Sequence, residues 1–338
     1  MASTFKNFSN EDITTVTQNL HESIPITGSI VSGSYSGNNI KNYAHGMLQS
    51  VYDYPYLSSS ANHIFDISVG YSSNSSLSSS ASTQNSKKIN VYNQMSQVLV
   101  GYDNTGSLQQ FDEDGDIIAG GTKLRECFFL NFSRLLTKDE IKRGSFTMTF
   151  MSGGTVGNPN NAQTINDSGS LTDYRVNSPT GEYGILYNTS GSTKGLIYYQ
   201  AGIAVLTASM FNGQFGDTGA TYDTSSVNTV LTGTTIQNAA DGFRRRLVNL
   251  SFNNTTELNS TVYFCRINHN EFNLSSNPTY LSSSKMVVKN SSQDENVSYI
   301  TGIGLYSSDN ALLGMAKVSE PLKKTPNSNL VIRARQDY

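Results

Sequence analysis

Val297-Ser-Tyr-Ile-Thr-Gly-Ile-Gly-Leu-Tyr306 sets Val297, Tyr299, Thr301, Ile303 and Leu305 on one side of an extended chain at a period of two. That is the signature of a strand with one covered face. Ser307 to Asn310 is a cluster of turn formers, and Ala311-Leu-Leu-Gly-Met-Ala-Lys-Val318 follows, so a hairpin is predicted. Pro321 and Pro326 cannot donate to a ladder and mark a loop. Leu330, Ile332 and Ala334 then alternate again. Three antiparallel strands with one apolar face are expected, and such a sheet needs a partner surface.

Working backwards, the same kind of signal recurs. Glu126 to Phe132 reads as a buried strand, and Phe146-Thr-Met-Thr-Phe150 alternates strictly. Gly184 to Tyr187 and Leu196 to Thr207 are the most β-prone section, across a small turn at residues 188–193. Leu247 to Phe252 and Val262 to Ile267 read as two strands joined by a turn at Asn253-Asn-Thr-Thr256, and Lys285 to Lys289 as another after Pro278. Strand runs without βαβ alternation predict a mainly β fold, an antiparallel sandwich or barrel with two or three short helices. The helices are expected at residues 39–51 (Ile40, Tyr43, Met47, Leu48, Val51), at 89–102 (Ile89, Tyr92, Met95, Leu99, Tyr102) and over a capping box at Thr137-Lys-Asp-Glu140 closed by Gly144. Leu136 and Ile141 stand at its staple positions.

Domain boundaries are expected at 85/86 and 296/297. Residues 1–85 read as an arm, a short helix and a Ser-rich linker, 86–296 as the main β domain, and 297–338 as a C-terminal module. Residues 217–238 read as a polar, Thr-rich excursion.

Composition restricts function. Of 338 residues only 14% are charged, with 19 Tyr, 15 Phe and no Trp. Low charge with abundant aromatics suits a surface covered by neighbouring subunits as well as a neutral soluble β protein. A net charge of −3 gives no footprint for nucleic acid or anionic membrane. The N-terminus has no apolar signal core, and no apolar run reaches membrane-spanning length, so assembly in a cytosol is expected. Cys127 and Cys265 read as reduced thiols in apolar strands.

Chemistry-bearing motifs are sparse. His21, His45, His63 and His269 show no metal-ligand spacing, and no nucleophile elbow or phosphate loop occurs. Asp112, Asp114 and Asp116 match the first three ligand positions of a calcium loop. Gly115 falls one place early and Lys123 stands where the terminal Glu belongs, so a turn is expected. No catalytic residue, cofactor or metal is expected. Arg244, Arg245 and Arg246 form the one compact basic cluster, a candidate contact to DNA or to an acidic neighbour, with a solvated or salt-bridging run as the default.

The closing Ile-x-x-Ile-Gly-Leu-Tyr, turn, Leu-Leu-x-x-Ala-Lys, Pro and basic strand resemble a module of structural proteins in tailed phage virions. Glu126 to Gly144, Asp173 to Gly184 and Gly195 to Val205 are similar to the same group, in particular to virion proteins of contractile-tailed cyanophages. The likeness covers most of the chain from about Ile89 onward. It implies a non-enzymatic virion component assembled in the host cytoplasm, tail-associated at baseplate, neck or collar. Its partners would be symmetric copies of itself and other virion proteins, with no membrane or sequence-specific nucleic acid. The candidate interface is Tyr299, Ile303, Leu305, Tyr306, Leu313, Met315, Arg333, Arg335 and Tyr338. A capsid-decorating or fibre-attaching protein is an alternative. So is a receptor protein that binds or cleaves host polysaccharide through tyrosines in long loops.

Overall fold

A computed structural model describes residues 5–26, 37–79, 83–116, 120–211, 213–217, 222–273, 281–282, 285–286 and 297–338. The fold is mainly antiparallel β, with four α-helices among the described residues. The chain forms two compact units, one of residues 20–256 and one of residues 1–19 with 257–338. These divisions do not coincide with 85/86 and 296/297. Two long strands, Ile13–Ile26 and Leu247–Ile267, run from one unit into the other and carry the division with them.

In the larger unit the sheet order begins at Leu247–Ile267. It continues through Thr147–Thr155, Asn158–Asn166, Gly181–Asn188, Thr193–Tyr198 and Ile203–Thr207. Glu126–Phe132, His63–Tyr71, Gln49–Tyr52 and Ile40–Asn42 complete it. The strand Glu126–Phe132 explains why this sheet needs cover on both sides. Successive side chains point to opposite faces, yet Cys127, Phe128, Phe129 and Leu130 are all buried. Phe128 packs with Phe211, Phe215 and Phe243 on one side, while Phe129 packs with Tyr92 and Phe111 on the other. The helices Thr83–Leu99 and Ile236–Arg246 supply those covers against His63–Tyr71. At Gly70 a side chain would not fit: a Cβ there would lie 2.6 Å from the Lys88 carbonyl and 2.7 Å from the Tyr92 nitrogen.

Several expectations are corrected. Residues 39–51 form no helix but the hairpin Ile40–Asn42 with Gln49–Tyr52, in which Ile40 faces Val51. Gly46 takes a positive φ in its turn, and pairing of Gln49–Tyr52 with His63–Tyr71 outweighs the accidental helical spacing. The short helix near the capping box is Arg134–Thr137, so it ends where it was expected to begin. Lys138 turns left-handed at φ 55°, and Glu140–Ile141 pairs with Asn254 and Thr255. Long-range pairing defeats the box. Gly144 does sit in a turn with positive φ.

Leu247–Ile267 is one strand, with Asn253 to Thr256 inside it rather than at a turn. Asn254 is buried and satisfied there: its Nδ2 donates to the Leu136 carbonyl and its Oδ1 accepts from the Glu22 N–H. Residues 217–238 hold a helix, Val227–Gly233, and the start of a second, Ile236–Arg246. Ser226 and Thr235 cap them by accepting from the Thr229 and Asn238 N–H groups. The expectations at Pro278 and at residues 287–289 lie outside the described residues. Among the described residues no helix is long and apolar enough to cross a membrane.

Candidate interaction surface

The smaller unit contains two long strand pairs and the short pair Leu281–Ser282 with Lys285–Met286. Ser298–Tyr306 pairs antiparallel with Leu312–Lys324, and Leu330–Asp337 pairs with Ser260 to Ile267 of the long strand. The closing strand therefore does not complete a three-stranded sheet with the hairpin. Its apolar positions, Ile332 and Ala334, stand opposite Cys265 and Tyr263, which a sequence reading of neighbours in the chain does not reveal. Pro321 is inside Leu312–Lys324 rather than in a loop. The register jumps there, from Ile300 opposite Leu322 to Gly302 opposite Lys317, so Pro321 occupies the unpaired bulge.

The hairpin is anchored at its base and exposed towards its tip. Ser298 and Lys324 face one another and are buried. The Lys324 Nζ donates to the carbonyls of His269 and Thr325 and to Asn273 Oδ1 at 2.7–3.1 Å. Ser307 to Asn310 makes the expected turn, closed by the Ser307 N–H on the Ala311 carbonyl, with Asn310 at φ 60°. Beyond the base the cover stops. Leu313 is 62% exposed, Met315 68% and Tyr338 70%, while Tyr299, Tyr306, Leu312 and Val331 are also exposed. Ile303 and Leu305 are half-buried. The face expected to be covered is thus open at Tyr299 and Thr301. Phe5 packs its ring edge on Tyr306 at 5.2 Å, and Phe8 lies 5.5 Å from Tyr263. Arg333 is exposed, and Arg335 is tied to Asp337, Ser260 and Gln18.

An isolated two-stranded hairpin is marginal in water. An exposed cluster of Leu, Met and Tyr on one is the composition of an interface core.

The basic cluster is not a surface. Arg244 and Arg246 are buried, and Arg244 pairs with Asp241 at 3.0 Å. Arg246 donates to the carbonyls of Phe215, Gly153, Gln214 and Met151 at 2.6–3.3 Å, and also to that of Gly154. Burial lowers its pKa to about 10. Arg246 enclosed by carbonyls and Arg244 buried on Asp241 have no reach to phosphate, so neither the DNA contact nor the solvated run holds for these two residues.

The histidines stay apart. His63 Nε2 lies 2.8 Å from Asp66 Oδ1, which also accepts from the Ser50 hydroxyl. Hydroxyl and imidazole both address the carboxylate, so the ring is not placed to take the hydroxyl proton. His21 Nδ1 faces the Asn254 carbonyl and the Thr255 hydroxyl. Cys127 is buried and Cys265 half-buried, both free, and burial pushes both thiols up.

No family model, no curated protein and no solved structure matches this chain.

Proposed function

We propose that the chain is a non-enzymatic structural component of a tailed phage virion, tail-associated at baseplate, neck or collar. It assembles through protein–protein contacts between symmetric copies and with neighbouring virion proteins. The observation that carries this reading is the exposed apolar set on the C-terminal hairpin and strand, Tyr299, Tyr306, Leu312, Leu313, Met315, Val331 and Tyr338. Water is a poor solvent for such a cluster, and covering it by a subunit removes that cost. The resemblance of residues 126–144, 173–184 and 195–205 to cyanophage virion proteins supplies the setting.

The test is quantitative mass spectrometry of purified particles. A small ring's worth of this chain per particle is expected, and the double variant Leu313→Glu, Met315→Glu should be made normally in the host yet be missing from particles. Copies on the order of hundreds would place the chain on the capsid instead. Absence of the wild-type chain from particles, or normal incorporation of the variant, overturns the proposal.

A further inference from the structure

We propose that Asp112, Asp114 and Asp116 form a binding site for a hard divalent cation, calcium by preference. One oxygen from each carboxylate lies within 4.8 Å of the others. Two oxygens on opposite sides of one calcium ion, each at about 2.4 Å, stand about 4.8 Å apart, so the three can share an ion with little movement. All the donors are carboxylate oxygens, which suits calcium and excludes a preference for soft metals.

A second observation is independent of this spacing. Asp112 is 2% exposed, and its Oδ1 is out of reach of solvent and has no hydrogen-bond partner. Its Oδ2 accepts from Lys123 on the paired strand. A buried carboxylate oxygen left unpaired costs free energy, and the neighbouring carboxylates add repulsion. Arg175 pairs with Asp173 and donates to the Asp114 carbonyl. A divalent ion held by the three carboxylates would offset their mutual repulsion.

The loop is also shaped from outside. The Tyr183 hydroxyl and Asn177 Nδ2 donate to the Gly115 carbonyl at 2.8 and 3.0 Å. These bonds hold the backbone between Asp114 and Asp116. Asp114 and Asp116 are exposed, and Asp116 borders an open depression of about 520 Å³ with Gln109 and Asn177. Water can enter there and complete the coordination. The arrangement is not a helix-loop-helix site: it lies between the short strands Phe111–Asp112 and Lys123–Leu124.

The experiment titrates calcium chloride into the EDTA-dialysed full chain by calorimetry, with thermal unfolding in parallel. One saturable site and a melting temperature raised by calcium and restored by EDTA are expected. Asp114→Asn with Asp116→Asn, at exposed positions that leave the fold intact by circular dichroism, should weaken binding at least about tenfold. Magnesium should bind more weakly. No heat and no thermal shift at millimolar calcium, or unchanged binding by the folded double variant, would overturn the site.

Discussion

Arg246 Nε donates to the Phe215 carbonyl at 2.9 Å, and the guanidinium carbon lies 5.1 Å from the centroid of the Phe215 ring. One side chain thus closes the helix Ile236–Arg246 onto the loop at Gln214 and Phe215 and onto the strand at Gly153. Arg246→Met would leave several buried carbonyls without donors. A loss of about 3 kcal/mol or more is expected by denaturant unfolding. Arg246→Lys should recover little, because a point ammonium cannot span the carbonyls that a planar fork reaches.

Lys88 gives the pH dependence. Its ammonium is buried at the C-terminal end of the helix Val227–Gly233, donating to the carbonyls of Leu231 and of Thr234, the latter at 2.6 Å. Burial lowers its pKa to about 8 from 10.5. Between these values the unfolded chain holds a proton that the folded chain releases. This group's contribution to stability therefore rises with pH across that window, by at most about 3 kcal/mol. The two carbonyls favour the charged form and reduce the effect. The stability difference between wild type and Lys88→Met, followed from pH 7.5 to 10.5, should shift in favour of the wild type. A flat difference would show that Lys88 keeps an ordinary pKa.

Much of the β architecture was legible because burial on one or both faces writes itself into short windows. Glu126 to Phe132 is found where its pattern places it and residues 146–150 fall in the longer strand Thr147–Thr155, while Leu196 to Thr207 divides into Thr193–Tyr198 and Ile203–Thr207 across a turn at residues 199–202. The helix Thr83–Leu99 was legible from its stripe, although it begins earlier than residue 89. What was lost depends on partners distant in sequence. Asn254 and Thr255 read as turn residues, but pairing with Ile141 and Glu140 keeps them in a strand. The helix Ile236–Arg246 carried its own signal, Ile236, Ala239, Ala240 and Phe243 behind a Thr cap, masked by polar surroundings. At the interaction surface the hairpin was readable. The partner of the last strand was not, since nothing in residues 330–337 points to Ser260–Ile267.

Asp167 accepts from the Gly144 and Phe146 N–H groups at 2.8 and 2.9 Å and from the Tyr199 hydroxyl at 3.0 Å, all in the interior. Asp167→Asn keeps the shape but turns an amide towards donors. A loss of about 2–3 kcal/mol is expected in chemical denaturation. Tyr199→Phe should cost less, because two backbone donors still satisfy the carboxylate.

Gly70→Ala sets a methyl group against the backbone of the helix Thr83–Leu99, 2.6 Å from the Lys88 carbonyl. The helix must move off the strand, at a cost of about 2 kcal/mol. Hydrogen exchange should report this as faster exchange in residues 86–95, while the hairpin Ser298–Tyr306 with Leu312–Lys324 stays unchanged.

In the proposed assembly, protein covers the exposed apolar residues of the hairpin, which stand on both of its faces. Sedimentation velocity of the purified chain over a concentration series tests it most directly. Wild type is expected to associate into a discrete oligomer, and Leu313→Glu with Met315→Glu to sediment as a folded monomer. A wild-type chain that stays monomeric throughout, or a double variant that associates as wild type does, would contradict the account.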